Sequence, residues 1–196
     1  MISFRHFLTR LTGASEASSA VALQPVVVRE LRAEDRAAVL RIEAASFPDA
    51  WTPKVLDAVL AQTNVSVHVL ERARTCVAFF VVGRERDRLH LMNLGVAPEA
   101  RRRGLGARAL QAAEKIAWAY GLPLVVLEVR ETNLAAQLLY RSSGYRAVEI
   151  VRAYYGDEDA YRMTKSIRLP GRNLRTRTTS LTSRATTDRP ASPPLP

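Results

Sequence analysis

The sequence predicts a single domain of the mixed α/β class, and three observations support this prediction. Short runs of strand-forming residues alternate with segments of helical period in the order β-α-α-β-β-β-α-β-α-β-β. The composition, 47% hydrophobic and 24% charged residues in a chain of 196, is typical of a soluble domain that buries a core. The longest helical segment is followed directly by a continuous apolar run, as in a helical crossover between parallel strands. We therefore expect a mixed central sheet of about seven strands flanked by about four helices.

The first half of the domain contains one strand, two helices and then three strands. β-branched residues at Val26–Leu31 predict the first strand, and Ala33–Phe47, with acids in its first turn, predicts the first helix. The following segment breaks this helix, and Pro53 suits the first turn of a second, short helix that ends near Ala61. The three strands that follow are Val65–Glu71, Cys76–Arg84 and Leu89–Val96, the last of them preceded by a charged turn at 84–88.

The second half contains two helices and three strands. Gly104–Tyr120 is predicted as the longest helix, because apolar residues recur at spacings of about four and three, and Gly121–Pro123 ends it. The stripe expected to face the core is Leu105, Ala109, Ala112, Ile116 and Ala119. The apolar run Leu124–Val129 predicts a central buried strand that is a locally parallel neighbour of Leu89–Val96. The remaining elements are a helix at Asn133–Ser142, ended by Gly144, and a strand pair at Tyr145–Ala153 and Asp159–Ile167.

The net charge of +10 is divided between the predicted domain and the two ends of the chain. Residues 26–168 contain 19 arginines and 3 lysines against 17 acids, a balance of +5, so the domain is only mildly basic. Residues 1–25 are interpreted as a flexible N-terminal extension, although a short amphipathic helix or an organelle transit peptide has a similar composition. Residues 169–196, rich in Ser, Thr, Pro and Arg, are interpreted as a disordered basic tail, for which a weak contact with the ribosome or RNA stays open.

Cysteine and histidine usage excludes several classes of site. Cys76 is the only cysteine, which excludes an internal disulfide and a cysteine-based metal site. The three histidines, His6, His68 and His90, are scattered along the sequence, so we expect no metal. A lone cysteine suits a reducing compartment, and no apolar run reaches the roughly 18 residues of a membrane span. We therefore expect a cytoplasmic protein without a membrane partner, and the sequence leaves its oligomeric state open.

A glycine-containing loop begins the longest helix, directly after a strand and a short turn. Its residues are Arg101, Arg102, Arg103, Gly104, Leu105, Gly106 and Ala107. Glycine lets the backbone approach an anion closely, and the first amides of a helix lack intrahelical acceptors and carry the positive end of its dipole. The loop therefore predicts a pocket for a pyrophosphate, with an arginine-rich surface turn as the alternative. Its spacing fits neither a Walker loop nor a dinucleotide fingerprint.

Four segments, in order along the chain, resemble the GNAT acetyltransferases, and most closely the RimI-type protein N-terminal acetyltransferases. The segment Asn93–Pro98 with the following R-x-x-G-x-G/A loop is similar to the cofactor motif of this family. The other segments are Leu127–Asn133 with Ala135–Tyr145, Ala153–Tyr155 with Glu158–Tyr161, and Phe47–Pro48 before Trp51. The resemblance covers about residues 26–168, and it departs from the family where Asp49 and Ala50 lengthen the loop before Trp51.

The resemblance implies the GNAT fold and an acyltransferase that uses acetyl-CoA as co-substrate. It assigns donor binding to the backbone of one strand, to the glycine-containing loop and to the start of the next helix. A local splay of the strand would aim an amide at the thioester oxygen. The residues concerned are Leu94, Gly95 and Val96, then Arg101, Arg102, Arg103, Gly104, Leu105, Gly106 and Ala107, and finally Asn133.

The same resemblance assigns the chemistry of the acceptor side. Glu128 would act as a general base, through water, and Tyr140 would be the general acid that protonates the departing sulfur. The residues that would contact an extended peptide are Phe47, Trp51, Tyr154 and Tyr155. A ribosomal protein is the acceptor that the RimI-type resemblance implies, through its N-terminal α-amine. That amine titrates near ~7.7–8, against ~10.4 for lysine, so it requires less basicity from the enzyme.

Each of these side chains also has a structural alternative. A carboxylate in an apolar strand is costly unless it is paired or protonated, and Arg130 lies on the same face of the strand as Glu128, so an ion pair between them is possible. Asn133 is suited to capping a helix, and Tyr140 to packing. Tyr154 and Tyr155 are suited to stabilising a hairpin as an aromatic pair. At the level of function, the alternatives are acetylation of a small amine or a lysine, and an inactive acetyl-CoA-binding module tethered to the ribosome.

Overall fold

The computed structural model describes residues 24–170, so the predictions for the N-terminal extension and the basic tail lie almost entirely outside the described residues. Within this range the predicted order of elements is confirmed. The elements are β1 (Val27–Glu30), α1 (Arg36–Ala44), α2 (Pro53–Leu60), β2 (Val65–Arg72), β3 (Thr75–Arg84), β4 (Leu89–Val96), α3 (Leu105–Ala119), β5 (Leu124–Arg130), α4 (Leu134–Ser142), β6 (Arg146–Val151) and β7 (Ala160–Ser166). None of the described helices is long and apolar enough to cross a membrane.

The seven described strands form one mixed sheet in the order β1-β2-β3-β4-β5-β7-β6. β4 and β5 pair in parallel, with Leu89 opposite Val125 and His90 opposite Val126, which confirms the predicted crossover. β7 lies between β5 and β6 and pairs with both in antiparallel orientation. This insertion places the last described strand, β7, directly beside the interior strand β5, so side chains of β7 lie next to those of β5.

The chain divides into two compact units, and β4 and α3 each contribute residues to both. The described part of the first unit comprises residues 24–83 and 92–112. Its largest fully buried side chains include Phe79, Phe80 and Leu56. The described part of the second unit comprises residues 84–91 and 113–170, with Leu127 and Met163 fully buried. The segment from β4 into the glycine-containing loop belongs to the first unit, whereas β5, α4, β6 and β7 belong to the second.

The buried face of α3 differs from the predicted stripe after its first two positions. The buried residues are Leu105, Ala109, Leu110, Ala113 and Ala117. Of the other predicted positions, Ala112 and Ile116 are half-buried and Ala119 is exposed. The prediction was wrong there because α3 contains several alanines on different faces, and a side chain of one methyl group gives little hydrophobic contrast between them.

The first helical segment begins at the predicted residue, but as a 3-10 turn, and it ends three residues earlier than predicted. It begins with a 3-10 turn at Ala33–Asp35 and continues as α1 only to Ala44. The Asp35 carboxylate accepts the Arg32 backbone N–H at 2.8 Å and a bidentate contact from Arg29 at 2.6 and 2.9 Å. Asp35 therefore anchors the start of the helix to β1, which tightens the first turn.

Candidate active site

In the first unit, the predicted pyrophosphate loop forms an open turn at the start of α3. Arg102 and Gly104 have φ values of +61° and +74°, the left-handed conformation of a tight turn. The first helical bond runs from the Arg108 N–H to the Gly104 carbonyl at 3.0 Å, so the amides of residues 105–107, which come before this first donor, have no i−4 acceptor within the helix. Gly104 has no side chain that could cap them, and a Cβ built on it would meet no atom within 4 Å. The turn can therefore present these amides to an anion.

The three arginines of the loop are not equivalent. Arg101 donates from Nε to the Val96 carbonyl at 3.0 Å, and from one terminal nitrogen to the Ala45 carbonyl and the Ser46 hydroxyl at 3.0 and 3.1 Å. It thereby ties the loop to β4 and to the end of α1, which is a structural role. Arg102 and Arg103 are exposed, and for them a contact with phosphate stays a prediction.

The strand residues predicted to line the donor are held by close packing. Leu94 and Val96 are half-buried and Gly95 is buried. A Cβ on Gly95 would lie 2.5 Å from the ring of Phe79 and 3.1 Å from the side chain of Ile42. Glycine is therefore required at this position by packing within the protein, and the role of this backbone in binding a cofactor stays a prediction.

The segment predicted to contact the acceptor is attached to a buried acid of α1. Glu43 is 1% exposed, and its carboxyl oxygens accept the backbone N–H of Trp51 at 3.4 Å and the Asn93 amide at 3.1 and 3.2 Å. Trp51 is itself only 5% exposed, whereas Phe47 is half-buried. Burial raises the pKa of Glu43 to about 7, against the lowering effect of the two hydrogen-bond donors. The sequence analysis missed Glu43, although an acid next to Ile42 on the buried face of a helix signals it.

In the second unit, Glu128 of β5 is clamped between two basic side chains. Its side chain is 6% exposed; His90 Nε2 lies 2.6 Å from one carboxylate oxygen, and Arg162 Nε donates to the other at 2.8 Å. Arg130, the partner suggested by strand alternation, instead forms an ion pair with Glu158 at 2.9 Å, so that suggestion was wrong. The register explains the difference, because Glu128 lies directly opposite Arg162 in the β5–β7 pair.

The two titratable members of this cluster shift each other's pKa. Burial alone would raise the pKa of Glu128, but the hydrogen bonds and charges of His90 and Arg162 overcome it and lower the pKa below the ordinary value. Burial alone would lower the pKa of His90, and its contacts with Glu128 and Glu85 instead raise it to about 9. At neutral pH the cluster therefore holds a carboxylate next to an imidazolium.

Both tyrosines of the β6–β7 connection lie next to Glu128, in different ways. Their rings meet edge to face at 4.9 Å between centroids, which is the aromatic pair considered above. The Tyr155 hydroxyl donates to the Glu128 backbone carbonyl at 3.4 Å, and the Arg130 guanidinium covers its ring at 4.0 Å. Burial and then the charge of Glu128 raise the pKa of Tyr154. Tyr155 is therefore attached to β5, whereas the Tyr154 side chain faces the carboxylate.

The connection that carries these tyrosines is anchored by two acids. Glu158 accepts the Thr132 N–H at 2.9 Å and the Thr132 hydroxyl at 2.6 Å, in addition to its ion pair with Arg130. Asp159 accepts the Ala153 N–H at 2.9 Å. Glu158 thus holds the connection against the end of β5, and Asp159 closes the connection on itself, so both acids have a structural role.

Tyr140 and Asn133 lie at opposite ends of α4. Tyr140 is 8% exposed with its ring centroid 6.1 Å from that of Tyr145, and burial followed by the nearby Tyr155 raises its pKa. The Asn133 side chain accepts the Ala136 N–H at 3.1 Å, which confirms it as the helix cap. The catalytic role of Tyr140 and the cofactor contact of Asn133 stay predictions.

His90 and Arg162 are the residues near Glu128 that sequence reasoning missed. Both lie on strands that neighbour β5, and they are 38 and 34 residues away from Glu128 along the chain. The sequence did predict that β4 and β5 pair in parallel. This pairing already places His90 on the strand beside Glu128. No comparable signal predicted the insertion of β7 beside β5.

A mixed sheet, a turn after β4 that can present backbone amides to an anion, and a buried carboxylate on β5 beside two tyrosines together fit an acyltransferase. Residues 36–145 match the acetyltransferase (GNAT) family, and the chain belongs to this family.

Relatives within the family include proteins named as N-alpha-acetyltransferases. Over 150 residues the chain is 31% identical to N-alpha-acetyltransferase RimI of Mycobacterium tuberculosis, covering 72% of this chain and 93% of that protein. Over 76 residues it is 41% identical to the N-alpha-acetyltransferase of Sulfurisphaera tokodaii, covering 38% of this chain and 46% of that protein. The crystal structure of ribosomal-protein-S18-alanine N-acetyltransferase from Escherichia coli matches with a TM-score of 0.68 at 28% identity, covering 76% of this chain and 99% of that one.

Proposed function

We propose that this protein transfers the acetyl group of acetyl-CoA directly to the N-terminal α-amine of a protein, with a ribosomal protein as the acceptor. The observation that carries the proposal is the Glu128 carboxylate, whose side chain is 6% exposed and which is held ionised by His90 and Arg162. The names of the Mycobacterium tuberculosis and Escherichia coli relatives support the choice of acceptor.

The donor fits the turn at the start of α3. A pyrophosphate is an anion without donors of its own, and the amides of residues 105–107, which precede the first helical donor, lie at the positive end of a helix of 15 residues. Arg102 and Arg103 add positive charge beside it. Bound acetyl-CoA supplies an electrophilic thioester carbonyl and a thiolate leaving group.

The acceptor requires a group that removes one proton from an ammonium ion. Because the pKa of Glu128 lies below its ordinary value, this side chain is a carboxylate at neutral pH and can accept that proton, directly or through water. An α-amine with a pKa of about 7.7–8 is already partly neutral, whereas a lysine with a pKa of about 10.4 requires about 3.5 kcal/mol more for deprotonation at the same pH. A weakly basic carboxylate therefore favours the α-amine.

Tyr140 is proposed to protonate the departing sulfur. Burial raises the pKa of its hydroxyl, so this group carries its proton at neutral pH, as a general acid must. A route through an acylated cysteine is disfavoured, because the only cysteine is Cys76, which is buried on β3 and whose pKa burial raises to about 11. Direct transfer, in which the amine attacks the thioester itself, follows from these two side chains.

The proposed setting is the cytoplasm, where nascent protein N-termini are available. Residues 171–196 lie outside the described residues, and the basic composition of this end of the chain favours a weak contact with ribosomal RNA. Asp49 and Ala50 lengthen the loop before Trp51 relative to the motif that it resembles. The acceptor is therefore best identified by experiment without assuming one particular N-terminal residue.

The test is incubation of the purified protein with acetyl-CoA and short peptides that differ in their first two residues. Each peptide is supplied with a free and with a blocked N-terminus, and all contain one internal lysine, so that mass spectrometry assigns the modified amine. We expect acetylation of free α-amines only. Transfer to lysine in blocked peptides, or to small amines but never to peptides, would contradict the proposal in favour of the alternative acceptors.

Two variants test the assignment of chemistry. Glu128→Gln and Tyr140→Phe should each lower kcat by about 10²–10⁴-fold while the KM for acetyl-CoA changes little. Tyr145→Phe is the matched control for Tyr140→Phe, because both rings are buried and adjacent. A double variant of Glu128 and Tyr140 that still acetylates peptides at the wild-type rate would contradict the mechanism.

A further inference from the structure

Glu128 belongs to a row of five charged side chains that crosses the second unit. In order they are Glu149 of β6, Arg162 of β7, Glu128 of β5, His90 of β4 and Glu85 of the preceding turn. Acidic and basic groups alternate along this charge row. The Glu128 side chain in its middle is 6% exposed, whereas Glu149 and Glu85 at its ends are 51% and 42% exposed.

The two cations that contact Glu128 are chemically different. Arg162 contacts Glu128 and Glu149 and keeps its charge at every pH at which the protein is folded. His90 titrates, and both of its ring nitrogens are occupied: Nε2 lies 2.6 Å from Glu128 and Nδ1 lies 3.5 Å from Glu85. With both nitrogens engaged, His90 has no ring atom left to act on an amine, so any effect on the reaction passes through Glu128.

We propose that His90 is a positioning residue for acetyl transfer, which fixes Glu128 as an oriented carboxylate through Nε2 while Glu85 holds the opposite ring nitrogen. This inference rests on the proposed function. Nothing in the sequence motifs of the family resemblance pointed to His90, and the assignment comes from the contact between β4 and β5.

The geometry explains why a second cation is needed beside Arg162. Removing the charge of Glu128 from water is costly, and one guanidinium contact occupies only one of its two oxygens. His90 occupies the other oxygen, so that the carboxylate cannot rotate without losing a charge-assisted hydrogen bond. Each carboxylate oxygen has a second lone pair, and because the Tyr154 hydroxyl also bonds to this carboxyl group, one of these lone pairs is left for an ammonium group or for water.

The other groups that face Glu128 do not replace His90. The Tyr154 and Tyr155 side chains of the β6–β7 connection carry neutral hydroxyls at neutral pH, since burial raises the pKa of Tyr155 to about 12 and that of Tyr154 further. Glu85 also contacts Arg88 at 2.8 Å, so it remains charged when His90 loses its proton. His90 is therefore the member of the row whose charge changes in the range from neutral to alkaline pH.

The first experiment compares the pH dependence of kcat for wild type, His90→Gln and His68→Gln, with one peptide at saturating acetyl-CoA. Glutamine retains a donor near the position of Nε2 but carries no charge. We expect the acidic limb of the His90→Gln profile to move up by about one pH unit, because a nearby positive charge lowers a carboxyl pKa by about 1–3 units. His68, a half-buried histidine of β2, is the matched control and should leave the limb unchanged.

The second experiment measures the contact without using activity. The imidazole of His90 is titrated by NMR in wild type, in Glu85→Gln and in Glu128→Gln, with His68 as internal reference. In wild type we expect the pKa of His90 near 9, well above that of His68, whose pKa burial lowers, and a lower His90 pKa in both variants. Glu85 is exposed, so this variant is not expected to disturb folding.

The two experiments separate the positioning role from the proposed function. A wild-type protein that acetylates no peptide contradicts the proposed function, and the titration then decides alone whether His90 is paired with Glu128. A wild-type His90 that titrates near its ordinary value overturns the inference. An active His90→Gln variant with unchanged kcat and an unmoved acidic limb overturns it as well.

Discussion

Glu43 and Glu128 are acids almost excluded from solvent, and their pKa values shift in opposite directions. Glu43 is 1% exposed and has only uncharged partners, the backbone N–H of Trp51 and the Asn93 amide, so burial raises its pKa to about 7. Glu128 has two cationic partners, which lower its pKa in spite of burial. Both acids are buried, so the charge of the neighbouring groups decides that the pKa of Glu43 is raised and that of Glu128 is lowered. Glu43 therefore has the features of a structural acid and Glu128 those of a candidate base.

The contribution of Glu43 to the stability of the folded protein should depend on pH. Its folded-state pKa, about 7, lies above its ordinary value of 4.5, so the contribution is fully present below about pH 4.5 and is lost as the pH rises through about 7. In Glu43→Gln this dependence should disappear. The unfolding free energy of the variant, relative to wild type, should rise by about 3 kcal/mol from pH 4.5 to pH 8.

Urea unfolding at several pH values is the measurement for Glu43→Gln. Glu99→Gln, at an exposed acid of the turn after β4, is the control and should follow the wild-type curve. Parallel curves for wild type and Glu43→Gln would mean that Glu43 stays ionised in the folded protein.

At the scale of elements, α4 is defined by different interactions at its two ends. At its start the Asn133 side chain accepts the Ala136 N–H, and Gln137 donates to the carbonyls of Arg130 and Glu131 at 3.1 and 2.9 Å. At its end the Tyr140 carbonyl accepts the Tyr145 N–H at 3.0 Å. These bonds attach the start of the helix to the turn after β5 and its end to Tyr145, and thereby set the position of Tyr140.

The prediction for this helix separates the cap from the proposed cofactor contact of Asn133. Asn133→Ala removes the cap and should lower the unfolding free energy by about 1 kcal/mol. Asn133→Asp keeps an oxygen for the Ala136 N–H and should leave stability unchanged, but it places a negative charge where an anionic cofactor would bind. We expect a higher KM for acetyl-CoA in Asn133→Asp with an unchanged KM for the peptide.

Steady-state kinetics and thermal unfolding of both Asn133 variants give the required comparison. Asn133→Ser, which retains a capping oxygen without added charge, is the control for stability. If the KM for acetyl-CoA is the same in all four proteins, Asn133 is a cap and nothing more.

At the scale of the whole molecule, the described core lies well inside the chain. Every buried hydrophobic residue of the described range falls between Val26 and Met163. The residues beyond 168 contain five arginines against one acid, and their proposed role is contact with the ribosome rather than folding. The catalytic domain and the basic tail are therefore expected to be separable.

The prediction at this scale is that a chain of residues 24–170 folds and acetylates peptides as the full chain does. Thermal unfolding and kcat/KM with a free peptide should be unchanged, because no buried core residue of the described range is removed. Co-sedimentation with ribosomes at low salt should fall in the truncated chain and should weaken with added salt in the full chain. If the truncated chain does not fold, the prediction is wrong and at least one of the two removed ends has a structural role.

The sequence by itself determined the order of the elements, the family resemblance and most of the local structure. The β-branched runs, the glycine stops and the continuous apolar run at β5 are local signals, and each produced the expected element. Asn133 is an equally local case, because a cap lies within a few residues of the amide that it accepts. Such features depend on neighbours along the chain, which are visible in the sequence.

Only the tertiary structure decided what surrounds Glu128. Strand alternation suggested Arg130 as its partner, and the β5–β7 register supplied Arg162, while β4 supplied His90. The face of α3 that is buried was likewise decided by packing, since its alanines offered several equivalent stripes. The physical reason is the same in both cases: charge pairing and burial depend on groups brought together from distant parts of the chain, and the sequence does not record their register.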